Sequence, residues 1–211
     1  MFTSFSKLLS RRTKKKRFRW IIAATVVAGL AIAAFVVILQ PAKIVALTFD
    51  DGPTPGYTEK VLDILKEKGV KATFFVTGKN AKASPDIIRR IAAEGHVVGN
   101  HSYSHISFDR LDEEGVFNEL LGTQQVIRDI TGKSPKFVRN PLGIETPGSQ
   151  AATRRLGLTG HVHWHYAKNE IVNDDWTCKG IDSALNFAKE ATKPGAILLA
   201  HDANEVTKCP A

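Results

Sequence analysis

Residues 44–53 have the sequence IVALTFDDGP, a mostly apolar run that leads into two adjacent carboxylates and a Gly-Pro turn. The β-rich composition of residues 44–49 predicts a strand, and the Gly-Pro pair predicts that the chain turns directly after the carboxylates. Neighbouring carboxylates raise each other's pKa. Asp50 and Asp51 therefore need a nearby cation to remain ionised together. The plain alternative for this segment alone is a turn rich in Asp and Gly without chemistry.

Short β-rich segments alternate with amphipathic helical segments along the rest of the chain. The pattern predicts strands at 44–49, 72–76, 97–98, 137–138 and 196–199, and helices at 57–68, 85–94, 113–130, 149–156 and 181–192. This alternation predicts an α/β fold with a parallel sheet or barrel. In such folds, functional residues collect where strands end and loops begin.

Three further clusters of polar residues follow predicted strands. His101 and His105 have a His-x-x-x-His spacing, which would put both imidazoles on one side of a helical turn. Two imidazoles and one carboxylate make a set of three protein ligands of the catalytic zinc type. Arg139 would supply a cation for one aspartate, and His201 ends an apolar strand. Each cluster alone has an ordinary structural explanation.

Together and in this order, the four clusters resemble the motifs of the NodB-type polysaccharide deacetylases, the carbohydrate esterase family 4 enzymes. TFDDGP at 48–53, HSYSH at 101–105 and Leu-Ala-His at 199–201 match the first, second and fifth motifs. The third motif is usually RPPYG and here reads RNPLG at 139–143. The fourth is usually D-x-x-D-W; Asp175 and Trp176 match it, but Val172 stands where the earlier Asp belongs.

The resemblance implies a distorted (β/α) barrel of the polysaccharide deacetylase type with one divalent metal ion, commonly zinc. In this family pattern Asp51, His101 and His105 are the metal ligands. Asp50 is then the general base and His201 the general acid.

The resemblance also implies supporting roles at six further positions. Arg139 would pair with Asp50, and Asp175 would hold the general acid in its charged form. The backbone N–H of the third motif would stabilise the oxyanion. The residues expected to line the substrate groove are Pro141, Leu142, Trp176 and Leu199.

The positive charge of the chain is concentrated at its amino terminus. Of 29 Lys and Arg, eight lie in the first twenty residues, which contain no acid, so residues 21–211 carry 21 basic and 21 acidic residues. Residues 20–39 carry no charge and, as a helix, would span roughly 30 Å of hydrocarbon. We expect a basic cytoplasmic tail at 1–19, a transmembrane signal anchor at 20–39, a short linker at 40–43 and an extracellular domain at 44–211. A cleaved signal peptide with a secreted domain is the alternative.

These expectations describe a membrane-anchored, metal-dependent hydrolase that removes N-acetyl groups from N-acetylglucosamine units of an extracellular polysaccharide. Peptidoglycan is the favoured substrate and chitin-type oligosaccharide the next. The balanced charge of residues 21–211 gives no reason to expect a nucleic-acid partner. An inactive carbohydrate-binding member of the same fold is the main alternative, and the complete set of acid, base and ligands argues against it. A lipid or nucleic-acid binder acting through residues 7–19 is a third hypothesis, but that run is more simply explained as a topology signal.

Two other features of the carboxyl-terminal half carry expectations. His161, His163 and His165 alternate along the chain, which predicts an exposed or groove-lining strand, with a second metal site as the alternative. An exported domain would permit a disulfide between Cys178 and Cys209. The family usually continues with a further helix and strand, so the resemblance also suggests that the domain at 44–211 is truncated at its carboxyl end.

Overall fold

The computed structural model describes residues 44–164 and 181–202, together with Thr25. The predicted tail, anchor and linker lie outside these residues apart from Thr25, as do Asp175, Trp176, His165 and both cysteines. Within the described ranges, no helix combines the length and the apolar character needed to cross a membrane. Residues 43–211 make up one compact unit of the chain.

Four parallel strands form the central sheet of the described part. They are β1 (Ala46–Asp50), β2 (Thr73–Val76), β3 (Val97–Asn100) and β4 (Ile197–His201), in the spatial order β3-β2-β1-β4. Single parallel bridges from Asn100 to Val138 and from Val138 to His161 continue the pairing beyond β3. The α/β class with parallel strands is therefore confirmed.

The described helices follow the strands. They are α1 (Thr58–Glu67), α2 (Gly78–Ala83), α3 (Pro85–Ala93), α4 (Glu113–Thr131), α5 (Pro147–Arg155) and α6 (Ile181–Ala191). Two short 3₁₀ turns lie at Phe108–Arg110 and Pro141–Gly143. All five predicted helices are present, with ends within two residues of the prediction. The turn at α2 was not predicted, and residues 137–138 form a bridge at Val138 instead of a strand.

Three apolar clusters bury the inner faces of these helices and fix the strand ends. The first packs Leu62 of α1 and Ile88 and Ile91 of α3 against Phe74 of β2. The second surrounds Val138 with residues of α4 and α5, and the third packs α6 on the β1–β4 edge. Because each fully buried apolar side chain is worth roughly 1.5–3 kcal/mol, these clusters hold the carboxyl ends of the strands in register.

The register brings the predicted catalytic strand ends together. Asp50 pairs with His201 on one side and with Phe75 on the other. Side chains alternate along a strand, so Thr48, Asp50, Leu199 and His201 share one face of the sheet. The site is built on this face.

Candidate active site

Asp51 leaves β1 in a left-handed conformation, with φ of 74°. Its N–H donates to the Phe75 carbonyl at 3.1 Å, and its own carbonyl accepts from Asn80 Nδ2 at 2.8 Å. The next carbonyl, of Gly52, accepts from the Thr77 N–H at 3.1 Å. The end of β2 and helix α2 therefore set the direction in which the Asp51 carboxylate points.

The second motif is a loop, so the predicted helical turn was wrong. Ser102 and His105 both have positive φ, at 60° and 61°. The Glu119 carboxylate of α4 stabilises this backbone by accepting from the N–H groups of Tyr103 at 2.9 Å and Ser104 at 2.8 Å. A carboxylate from another element thus holds this loop, and the two imidazoles converge without a helix, with ring centroids 5.0 Å apart.

Asp51, His101 and His105 bring three ligand atoms together. Asp51 Oδ1 lies 3.1 Å from each of the two Nε2 atoms, and it is buried without a well-aligned hydrogen-bond partner among the described residues. Two ligands that are each roughly 2.1 Å from a tetrahedral zinc ion lie about 3.4 Å apart. The spacing, the donor types and the orphaned oxygen therefore fit a divalent metal ion.

The tautomer of His101 also suits a metal ligand. Its Nδ1 lies 2.7 Å from the Arg139 carbonyl oxygen, which can only accept, so Nδ1 carries the proton and the Nε2 lone pair faces Asp51. Burial would lower the pKa of His101, but the adjacent Asp50 and Asp51 raise it overall. Burial likewise would raise the pKa of Asp51, and the neighbouring His101 and His105 lower it by more. Burial lowers the pKa of His105.

Asp50 is paired with a fully buried arginine. Arg139 Nη1 donates to Asp50 Oδ1 at 2.8 Å and to Thr48 Oγ1 at 2.7 Å, and Nε donates to the Val162 carbonyl at 2.8 Å. The guanidinium lies over the Phe75 ring, 4.4 Å from its centroid. Burial lowers the pKa of Arg139, and Asp50 partly offsets that effect. The other oxygen, Asp50 Oδ2, lies 3.8 Å from His101 Nε2 and so faces the cluster of Asp51, His101 and His105.

Asp202 is a buried carboxylate that the sequence did not single out. Its Oδ2 accepts from Thr58 Oγ1 at 2.7 Å, and Thr58 Oγ1 in turn accepts from the Thr54 N–H at 2.7 Å. Burial, partly offset by the Thr58 hydroxyl, raises the pKa of Asp202 to about 7. Its carboxylate packs so closely on Gly52 that any side chain there would collide with it. The end of β4 thus braces the loop that carries Asp51.

The predicted substrate residues occupy different environments. Leu142 is 66 % exposed and left-handed, with φ of 57°, whereas Pro141 beside it is buried. Leu199 is buried on the face that carries Asp50. The Trp164 ring packs on Gly143 and leaves no room for a side chain there. His201 is half-buried.

The residues that support the site from other elements gave no signal in the sequence. Glu119 and Asn80 belong to helices, and Asp202 and Thr58 meet across 144 positions of the chain. The only sequence signal for Asp202 was its position directly after His201 at the end of a predicted strand. The assembled site contains three side chains of metal-binding type, the Asp50 carboxylate fixed by Arg139, and His201 on the neighbouring strand. This arrangement is suited to hydrolysis by an activated water molecule.

Residues 39–161 match the polysaccharide deacetylase family. The chain belongs to this family. A peptidoglycan-N-acetylglucosamine deacetylase of Bacillus cereus is 38 % identical over 159 residues, which are 74 % of this polysaccharide deacetylase and 55 % of the relative. A chitooligosaccharide deacetylase of Bradyrhizobium is 40 % identical over 159 residues, which are 75 % of this chain and 70 % of the relative. The chain thus spans about half the length of the Bacillus cereus protein.

The fold has a close match among solved structures. A crystal structure of a peptidoglycan N-acetylglucosamine deacetylase, in complex with 4-naphthalen-1-yl-N-oxidanyl-benzamide, has 35 % sequence identity and a TM-score of 0.70, and the match covers 79 % of each chain. The family and fold implied by the four motifs are therefore confirmed.

Proposed function

We propose that this polysaccharide deacetylase is a metal-dependent N-deacetylase that removes acetate from N-acetylglucosamine units of an extracellular polysaccharide. Peptidoglycan is the first candidate and chitin-type oligosaccharide the second, since these are the substrates named for the two relatives. The predicted signal anchor at 20–39 favours peptidoglycan, because a domain tethered to the outer face of the membrane would lie against the wall.

The observation that carries this proposal is the orphaned oxygen of Asp51. Leaving a buried polar atom without a partner costs about 1–3 kcal/mol, and more for a charged group. A cation held by Asp51, His101 and His105 would remove that cost. Zinc is the proposed ion, because two imidazoles and one carboxylate with an open position suit it. When bound, such an ion would polarise the amide carbonyl and make water acidic enough to attack near neutral pH.

Asp50 is the proposed general base. One of its oxygens is fixed by Arg139 at 2.8 Å, and the other faces the ligand cluster. A carboxylate oriented in this way can accept the proton of a water molecule that attacks the acetamide carbon. The water oxygen forms the new C–O bond, and the backbone N–H of Leu142 is the proposed donor to the developing oxyanion.

His201 is the proposed general acid. It is paired in register with Asp50 and its side chain lies on the same face, so acid and base flank one reaction centre. As the C–N bond breaks, His201 would give its proton to the leaving amine of the sugar. Acetic acid, which ionises to acetate, and a glucosamine unit are the products. Asp50 then loses the proton that it took from water, and His201 regains one from solvent, so both groups return to their starting states.

The test is acetate release by the purified full-length protein from peptidoglycan and from N-acetylated chitooligosaccharide. We expect release that a chelator abolishes and zinc restores. Asp50→Asn should reduce the rate about 10²–10⁴-fold while zinc stoichiometry stays the same, because Asp50 is not a ligand. Asp129→Asn, the same substitution at an exposed position on α4, is the matched control. No release from either substrate by protein that holds one zinc ion would refute the proposal.

A further inference from the structure

A chain of hydrogen bonds links the third motif to the histidine-rich segment beside Arg139. The Asn140 N–H donates to His161 Nδ1 at 2.9 Å. His161 Nε2 lies 3.1 Å from His163 Nδ1, and His163 Nε2 lies 3.1 Å from Glu145 Oε1. The chain of bonds begins and ends on the loop 140–145.

The backbone N–H at one end fixes every proton in this chain. An amide N–H can only donate, so His161 Nδ1 must be unprotonated and accept. In a neutral ring the proton is then on Nε2, from which it is donated to His163 Nδ1. His163 in turn carries its proton on Nε2 and donates it to the Glu145 carboxylate. Burial lowers the pKa of His161 to about 4, which agrees with a neutral ring.

The same three side chains have the composition of a metal site. Ligand atoms of Glu145, His161 and His163 lie within 4.8 Å of one another, as do those of Asp51 and its two histidines. However, His161 Nε2 could bind a cation only if its proton moved to Nδ1, where it would point at the Asn140 N–H. His101 is the opposite case, because its Nδ1–H donates to a carbonyl and leaves Nε2 bare. The geometry therefore disfavours the second metal site that alternating histidines allowed.

The segment held by this chain is the one that anchors Arg139. Arg139 Nε donates to the Val162 carbonyl at 2.8 Å and Nη2 to the His163 carbonyl at 3.4 Å. The Val162 N–H donates to the Val138 carbonyl at 2.8 Å. Any shift of residues 161–163 relative to the loop 140–145 would thus move the two carbonyls that orient the guanidinium.

Asn140 stands where the third motif usually has proline. Proline has no N–H and could not make the first bond of the chain. Asn140 therefore supplies the N–H that His161 Nδ1 accepts, which the usual proline could not do.

We propose that the Asn140 N–H, the neutral imidazoles of His161 and His163 and the Glu145 carboxylate form a hydrogen-bonded strut that positions Arg139 against Asp50. These are positioning residues for the reaction, and this role rests on the proposed deacetylase function. The strut itself can be measured without any activity.

The decisive comparison is Asn140→Pro against Asn140→Ala in the full-length protein. Both lose the Asn side chain, but only proline loses the N–H. The φ of Asn140 is −72°, which proline accepts. Long-range ¹H–¹⁵N correlation spectra would report the protonated nitrogen of each imidazole and the Arg139 Nε–H resonance. We expect His161 and His163 to be protonated at Nε2 and His101 at Nδ1 in the wild type and in Asn140→Ala.

In Asn140→Pro we expect the His161 ring nitrogen and Arg139 Nε–H resonances to shift, and kcat to fall roughly tenfold below that of Asn140→Ala with KM nearly unchanged. Identical spectra for the two variants would overturn the strut, whether or not the protein releases acetate. Equal kcat with shifted spectra would overturn its positioning role. Binding of a second zinc equivalent that perturbs His161 and His163 would overturn the neutral assignment and favour a metal site.

Discussion

The buried pair of Arg139 and Asp50 allows a quantitative test of how the site is held. The substitution is Arg139→Met, which keeps most of the side-chain volume and removes the charge. The Asp50 side chain is 4 % exposed, and its carboxylate then loses the guanidinium that pairs with it. Breaking a buried ion pair by removing one partner costs about 3–5 kcal/mol, largely because the other charge stays buried.

In an Asp50→Asn background the carboxylate charge is already gone, and Arg139 is then the buried charge that has lost its partner. Arg139→Met in that background removes this cost, but it loses packing and hydrogen bonds to groups such as the Val162 carbonyl, at about 1 kcal/mol each. We therefore expect Arg139→Met to cost at most about 1–2 kcal/mol in that background. Compared with the cost of about 3–5 kcal/mol when Asp50 is present, this gives a coupling energy of at least about 1 kcal/mol between the two positions.

Urea unfolding of the four proteins of the cycle, followed by tryptophan fluorescence with zinc and with chelator, measures this coupling. Trp164 lies 5.5 Å from the guanidinium and reports on the same region. If Arg139→Met does not fold, Arg139→Lys takes its place, with a smaller coupling expected because the charge is kept. The coupling is refuted if the effects of the two substitutions on the free energy of unfolding add within about 0.5 kcal/mol, because the buried charges would then act independently.

Three further substitutions test other supports. Glu119→Ala removes the carboxylate that accepts the N–H groups of Tyr103 and Ser104. It should weaken zinc binding roughly 10–100-fold in a competition assay with a chromogenic chelator. An unchanged zinc affinity would mean that the loop keeps its shape without Glu119. Thr146→Ala breaks the capping box of α5 and should cost about 1 kcal/mol in urea unfolding, and an unchanged midpoint would contradict this. His161→Gln should flatten the pH dependence of stability. The pKa of His161 falls from 6.5 to about 4 on folding, so the native state binds fewer protons in that window and wild-type stability decreases as pH falls, by at most about 3 kcal/mol. Equal slopes of unfolding free energy against pH for the wild type and His161→Gln would contradict this prediction. The titratable or charged groups that face His161 are His163, Glu145, Arg139 and His101.

The periodic elements of this fold could be predicted because their signals are local. The apolar spacing in α1, α3 and α4 and the short β-rich runs lie within each segment. Helix α2 was missed because its six residues, GKNAKA, have no apolar stripe. It forms because the Thr77 hydroxyl accepts the Asn80 N–H at its start and its buried Ala81 packs in the core.

The side chains that meet at the candidate site could be predicted from the sequence, but the residues that hold its loops in place could not. The motifs named the residues that converge on Asp51, since chain order and strand ends are visible in the sequence. The shape of the histidine loop depends on Glu119, and the loop after β1 depends on Asp202, both of which act across long stretches of chain. No local pattern encodes such contacts, so the spacing of the histidines was interpreted as a helical turn.

The two histidine–carboxylate clusters show why composition alone does not identify a metal site. Both contain two imidazoles and one carboxylate within the same 4.8 Å limit. In one, a backbone carbonyl holds the Nδ1 proton of His101 and directs a lone pair inward. In the other, a backbone N–H occupies the Nδ1 lone pair of His161 and directs a proton inward. The polarity of one main-chain group therefore decides whether the same side chains can bind a cation or form a hydrogen-bonded strut, and that polarity depends on the fold around them.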